Sequence, residues 1–105
     1  MAVALGPRRA SHTQTDQRKR AENEGRLIET INTLRGIADS YQTPADAKKA
    51  VRDSLAVLRD TRRSIGERAA NAISILDELA QNPKIPSYTR VGLWTALSKL
   101  ETIRE

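Results

Sequence analysis

The sequence has no cysteine, so neither a disulfide nor a thiolate metal site is available to it. Its one histidine, His12, has no second histidine or cysteine with which to form a nucleophile–base pair or a metal-binding cluster. Asp77 and Glu78, the one adjacent acidic pair, would point about 100° apart on a helix. Because a catalytic acid or base must be held in a pocket, we expect no enzyme, no cofactor and no bound metal.

Aromatic residues are also scarce, since Tyr41, Tyr88 and Trp94 are the three present and none lies near the start of the chain. Sequence-specific recognition of single-stranded RNA relies on aromatic stacking, so the sequence argues against that mode of binding. No apolar run reaches the roughly 18 residues of a membrane span, and residues 1–9 lack the long apolar core of a signal peptide. We therefore expect a soluble, cytoplasmic protein with no membrane partner.

The most informative feature that is present is an internal repeat with an offset of 42 residues. Matching apolar residues step by three and four, which is the period of a helix, and each copy is broken by a proline, at Pro44 and Pro86. The repeat predicts an all-α fold, a four-helix array of two stacked helix–turn–helix hairpins similar to HEAT repeats. We assign hairpin one to residues 16–62 and hairpin two to residues 64–105, after a basic, flexible N-terminal arm at residues 1–15.

Local signals predict where these helices begin. The first helix would be capped by Thr15 or Asp16, and the third opens at Ser64 with the spacing of a capping box to Glu67. Helical arrays usually need three repeats, so a homodimer or larger assembly is an open expectation for a chain with two. The residues expected to face inward are Leu27, Ile28, Ile31, Leu34, Ala38 and Tyr41, then Ala47, Val51, Leu55 and Leu58, then Ala69, Ala72, Ile73, Leu76, Leu79 and Ala80, then Leu93, Leu97 and Leu100.

The net charge of +5 is unevenly distributed along the chain. Residues 1–20 carry five basic residues and one acid, whereas the remainder is nearly neutral. Such an asymmetry favours a segment that binds polyanions. The loop between the hairpins adds further arginines, and phosphate contact without base reading is the mode that remains. The predicted RNA-binding residues are Arg8, Arg9, Arg18, Lys19, Arg20, Arg59, Arg62 and Arg63.

A second candidate surface appears where the two repeats differ. Asp46, Lys49 and Arg52 of the first copy are replaced in the second by an apolar stripe of Tyr88, Val91 and Trp94. One interpretation places the stripe inside, in an uneven core or under the first helix. The other makes it a docking surface for a partner, because tryptophan and tyrosine often anchor interfaces. The basic run at Lys48, Lys49 and Arg52 is interleaved with acids and is interpreted as a solvated face.

The second hairpin resembles a known family. The segment Arg-Ala-Ala-Asn-Ala-Ile-Ser-Ile-Leu-Asp-Glu-Leu from Arg68, the turn with Pro83 and Pro86, and the later pairs Thr89-Arg90 and Leu93-Trp94 resemble uncharacterised protein family 0147. Its members are small, all-helical archaeal proteins. The resemblance implies a helical fold and an archaeal cytoplasmic setting, and it implies no catalytic residue.

These features lead to two functional hypotheses. The first is a non-catalytic RNA-binding accessory protein, a component or associated factor of the archaeal ribosome whose partners are ribosomal RNA and neighbouring ribosomal proteins. The second is a protein-interaction or oligomerisation module that docks through Tyr88, Val91 and Trp94.

Overall fold

The computed structural model describes the side chains of residues 16–105 and, for residues 2–15, the backbone alone. Four helices, α1 (Ala2–Asp39), α2 (Ala45–Leu58), α3 (Ile65–Ala80) and α4 (Ser87–Glu101), account for most of this part, which contains no strand. The all-α fold is therefore confirmed. The predicted start at Thr15 or Asp16 is wrong, because α1 continues through both residues. The predicted flexible arm, with Arg8 and Arg9, lies outside the residues whose side chains are described.

The connections between helices show why the chain turns where it does. Pro44 and Pro86 precede α2 and α4 with nearly the same backbone conformation, φ −59° in both, because the ring fixes that angle and proline lacks an N–H to satisfy. The predicted cap of α3 is confirmed, since the Ser64 hydroxyl accepts the Glu67 N–H at 3.2 Å. The Glu67 carboxylate, however, lies 3.4 Å from the Arg63 guanidinium.

The four helices form a closed ring of neighbours, α1 against α2, α2 against α3, α3 against α4 and α4 against α1. Equivalent positions of the two repeats meet in the core, where Leu34, Leu76, Leu58 and Leu100 are almost fully buried. Because α4 packs back onto α1, each hairpin covers the apolar face of the other. The apolar outer faces that motivated the homodimer prediction are covered within the chain, by the contact of α1 with α4. The homodimer itself stays a prediction.

Two of the residues expected to face inward are exposed instead. Tyr41 is 90% exposed because α1 ends at Asp39 and the tyrosine lies in the following turn. Ile28 is 59% exposed and lies on the border of a surface cleft between α1 and α3. Five polar residues are buried in addition to the apolar core: Asn23, Thr30, Thr43, Ser54 and Thr89.

Candidate nucleic-acid interface

One end of the bundle brings together three segments that are far apart in sequence. These are the part of α1 at residues 16–24, the α2–α3 loop at residues 59–64, and the C-terminal residues 102–105, and we call this region the basic end. The Lys19 ammonium donates to the backbone oxygen of Glu105 at 2.7 Å. The Glu105 carboxylate in turn accepts the N–H of Gly66, in the first turn of α3, at 2.9 Å. The last residue thus connects α1 to α3.

Asn23 fixes the same segment from the side of α1. Its side-chain amide donates to the carbonyl oxygen of Arg104, and its amide oxygen accepts the Arg104 N–H at 3.3 Å. Asn23 is only 4% exposed, and a buried amide group must be hydrogen-bonded to avoid a desolvation penalty. The pairing therefore holds the C-terminal segment in one position against α1.

The predicted RNA-binding residues with described side chains all lie at this end, but they are not equally available. Arg62 forms a two-pronged pair with Asp60, with nitrogen–oxygen distances of 2.9 and 3.2 Å. Arg63 lies near both Asp60 and Glu67. Arg18, Arg20 and Arg59 are exposed and pair with no residue in the part of the chain whose side chains are described.

Two carboxyl groups at the basic end have lowered pKa values. The hydrogen bond from the Arg62 side chain, followed by that from the Arg62 backbone, lowers the pKa of Asp60. The pKa of Glu105 is lowered by hydrogen bonds from the Ser64 hydroxyl and the Gly66 N–H, with a smaller contribution from the Lys19 ammonium. Both acids are therefore ionised at neutral pH, where they offset part of the positive charge around them.

A cleft of about 480 Å³ separates α1 from α3 and the α2–α3 loop. The Arg68 guanidinium forms part of its wall and is anchored by a hydrogen bond from Nη1 to the Leu58 carbonyl oxygen at 3.1 Å. The buried Nε–H of Arg68 finds no acceptor among the described residues. We call this space the α1–α3 cleft, and the residues that line it are Arg20, Asn23, Glu24, Leu27, Ile28, Thr61, Ile65 and Arg68.

The apolar stripe on α4 lies at the surface. Tyr88, Val91 and Trp94 are 65%, 58% and 55% exposed, so the interpretation that placed them in an uneven core is wrong. Tyr88 and Val91 border a groove of about 490 Å³ between α4 and α1, whereas Trp94 does not line it. Gly92 lies in the same groove, against Ile37 of α1.

Other kinds of site find no support in the residues described. No group of three or more histidine, cysteine, aspartate or glutamate side chains among them is placed to hold a metal ion. Nor does any helix in the described part have the length and apolar character needed to cross a membrane.

Several residues of the basic end were not found from the sequence. Arg104 lines a cleft together with Lys19 and Arg20, although more than eighty residues separate it from them. No local signal points to that contact. Asn23 did leave a signal, because residues 23, 27, 30 and 34 follow one helical seam and a polar residue within a seam is often buried with partners.

The fold defines a small all-α protein, a closed bundle of two repeated hairpins whose basic end holds seven basic and five acidic residues. The sequence signature of Uncharacterised protein family (UPF0147) matches residues 14–103. The chain therefore belongs to this family, and the resemblance seen in the sequence is confirmed.

Relatives from archaea support the assignment along most of their length. A UPF0147 protein of Aeropyrum pernix is 39% identical over 85 residues, which are 81% of this chain and 93% of the relative. One from Metallosphaera sedula is 38% identical over 84 residues, 80% of this chain and 94% of the relative. The crystal structure of a UPF0147 protein from Thermoplasma acidophilum superposes with a TM-score of 0.77 at 30% identity, covering 80% of this chain and 99% of that one.

Proposed function

We propose that this protein is a non-catalytic RNA-binding accessory factor in the archaeal cytoplasm, where it associates with the ribosome and contacts ribosomal RNA phosphates through its basic end. The observation that carries the proposal is that Arg20 of α1 lines one cleft with Thr61 of the α2–α3 loop, two residues after Arg59, and that Arg18 lies two residues before Arg20 on α1. These three arginines are exposed and pair with no other described side chain. The predicted contribution of Arg8 and Arg9 belongs to the same proposal.

Unpaired arginines suit phosphate binding for a physical reason. A guanidinium presents several N–H donors in a planar fork that matches two phosphate oxygens. Arg62 and Arg63 must share their donors with Asp60 and Glu67, so they contribute less to phosphate binding than Arg18, Arg20 and Arg59. Contacts of this kind position a protein on RNA and read little sequence.

The test measures binding of the full chain to a ribosomal RNA fragment by fluorescence anisotropy at several salt concentrations. Replacing Arg18, Arg20 and Arg59 together by glutamine removes about three phosphate contacts, so the slope of log K against log salt becomes shallower by about 2. The matched control replaces Arg35, Arg52 and Lys84, whose side chains are also exposed and pair with no described side chain but lie elsewhere. Equal losses in both variants would show that net charge, and not the basic end, determines binding.

The association with the ribosome is tested separately. Native protein in archaeal lysate should sediment with a ribosomal subunit at low salt and leave it as salt rises, because electrostatic binding weakens when counterions compete. Sedimentation as a free small protein at low salt would contradict the ribosomal part of the proposal.

The exposed stripe supports a second candidate function, a protein-interaction module. Tyr88, Val91 and Trp94 are each more than half exposed, and large exposed apolar side chains that lie together often belong to interfaces. Under this candidate function, Trp94→Ala weakens capture of a protein partner or of a second copy, while the melting temperature changes little. A Trp94→Ala variant with a lowered melting temperature and unchanged association would count against this candidate function.

A further inference from the structure

We propose that the α1–α3 cleft is a pocket for one unpaired RNA nucleotide, whose base enters the cleft while its phosphate stays at the rim. The inference rests on the proposed RNA-binding function and adds to it a second kind of contact. Phosphate contacts hold any RNA strand, whereas a pocket for a base requires a strand in which a base is free to leave its stack. Unpaired segments of RNA meet that condition.

The walls of the cleft provide the apolar surface that a base needs. Leu27 and Ile65 are partly buried and pack against the core, so they form a fixed floor. Ile28 lies beside them on α1 and is 59% exposed, although Thr30 and Leu34 of the same helix are buried. A flat base laid against these three side chains removes apolar surface from water on both partners.

The polar groups of the cleft match a base and not a purely apolar ligand. Arg20 and Arg68 contribute guanidinium groups, and such planes serve as stacking surfaces for bases in RNA-binding proteins. Arg20 and Thr61, both exposed, provide donors, and the exposed Glu24 provides acceptor oxygens. The edge of a base carries both donors and acceptors, so it can pair with groups of both kinds.

The position of the cleft agrees with the phosphate contacts of the basic end. Arg20 belongs to both, because it lines the cleft and is one of the three unpaired arginines. Thr61, on the opposite wall, lies two residues after Arg59. A nucleotide whose base lies in the cleft therefore has its phosphate close to Arg20 and to the loop that carries Arg59.

The groove on α4 lacks this combination. It is lined by Thr33, Gly36, Ile37, Ser87, Tyr88, Val91 and Gly92, with no charged side chain among them. This difference makes the groove a control surface for the cleft. Ile28 and Val91 are almost equally exposed, at 59% and 58%, and both lie on helices, so the same substitution at each position has similar consequences for folding.

The experiment compares the affinity of the full chain for a ten-nucleotide adenosine RNA with its affinity for a ribose-phosphate strand of equal length that carries no bases. Both strands have the same number of phosphates. Because a base that enters the cleft removes apolar surface from water on both partners, we expect the native protein to bind the base-bearing strand about fivefold more tightly. Ile28→Asn should reduce the preference towards one, and Val91→Asn should leave it unchanged.

Each other outcome has a distinct meaning. Equal affinity of the native protein for both strands overturns the pocket and leaves the phosphate-binding function in place. A base preference that survives Ile28→Asn, or that Val91→Asn removes as well, places the base elsewhere and also overturns the pocket. Absence of binding to either strand at low salt overturns both the pocket and the proposed function. Circular dichroism of the two variants verifies that both remain folded.

Discussion

Three side chains at the basic end, Lys19, Asn23 and Glu105, hold the C-terminal segment against the body of the bundle. The Lys19 ammonium and the Asn23 amide each donate to a backbone oxygen, and the Glu105 carboxylate accepts a backbone N–H. These contacts therefore depend on where the three side chains lie more than on their charges. The result is that residues 16–24 of α1 have a fixed neighbour in the C-terminal segment. That neighbour keeps Arg20 in place beside Thr61, with which it lines the α1–α3 cleft.

The Glu105 carboxylate makes this arrangement sensitive to pH. Its pKa in the folded protein lies below the ordinary value of 4.5, because the Ser64 hydroxyl and the Gly66 N–H stabilise the ionised form. A group whose pKa is depressed by folding contributes stability above its unfolded pKa and loses that contribution as the pH falls through the folded pKa. We therefore expect the melting temperature of Glu105→Gln to lie below that of the native protein at neutral pH, and the gap to close as the pH falls below 4.5 and through the lowered pKa of Glu105.

Two further variants separate this contact from a general effect of acid. Glu101→Gln removes an exposed carboxylate with no pairing to a described side chain, so its melting temperature should follow that of the native protein at every pH. Gly66→Ala would place a Cβ 2.7 Å from the Glu105 side chain and displace it, so it should reproduce the pH behaviour of Glu105→Gln. A gap between native protein and Glu105→Gln that is unchanged at low pH would contradict the assignment.

At the scale of the helices, the contact between α1 and α4 leaves little room for a side chain at Gly92. A Cβ at Gly92 would lie 2.9 Å from the Cδ1 of Ile37, which is buried. Overpacking of this kind costs about 1–3 kcal/mol, against a gain of about 1 kcal/mol in helix propensity. We expect Gly92→Ala to lower the free energy of unfolding by about 1 kcal/mol, as measured by urea denaturation.

Gly36, on the other wall of the same groove, provides the matched substitution. A Cβ there meets nothing within 4 Å, so the gain in helix propensity is not opposed. Gly36→Ala should raise the free energy of unfolding by about 0.5–1 kcal/mol. The opposite signs of the two glycine substitutions are the result to look for, and stabilisation by Gly92→Ala would mean that Ile37 moves aside without loss.

The buried seams of the helices could be predicted because a helical period fixes which residues share a face. Val51, Leu76 and Leu93 follow that rule and are buried. Tyr41 follows the helical spacing of the buried residues of α1, but α1 ends at Asp39. Periodicity alone does not show where a helix ends. The stripe on α4 could be recognised as a difference between the repeats, but its exposure depends on how α4 faces α1. That relation involves contacts between residues far apart in sequence, which no local pattern contains.

At the scale of the whole molecule, the repeat predicted two hairpins, and closure of the ring explains why two are enough. In an open array each terminal helix leaves a face uncovered, and further repeats are needed to cover it. Here α1 contacts α4 as well as α2, and Lys99 of α4 lies 3.6 Å from Glu29 of α1. The same closure brings the C-terminal segment to residues 16–24, and so the basic end exists only when both hairpins are in place.

Closure implies that neither hairpin is stable alone. Each assigned hairpin, 16–62 or 64–105, has fewer than about fifty residues and buries too little apolar surface to fold without further support. Helices of 14 to 16 residues, such as α2, α3 and α4, are also marginal in water when isolated. We expect separate peptides of residues 1–62 and 64–105 to show weak helicity by far-UV circular dichroism. Their equimolar mixture should show more helix than the sum of the two, because Leu34 and Leu58 of the first hairpin then pack against Leu76 and Leu100 of the second.

A pair of adjacent substitutions distinguishes specific assembly from general association. Leu34 is fully buried, whereas Arg35 is exposed on the same helix. In the peptide of residues 1–62, Leu34→Asp should abolish the gain in helicity on mixing, because it places a charge where the core of the bundle forms. Arg35→Asp changes the charge one position away and should preserve the gain. Strong helicity in either separate peptide as a monomer would mean that the hairpins fold independently. The basic end would then form when two hairpins that are already folded associate.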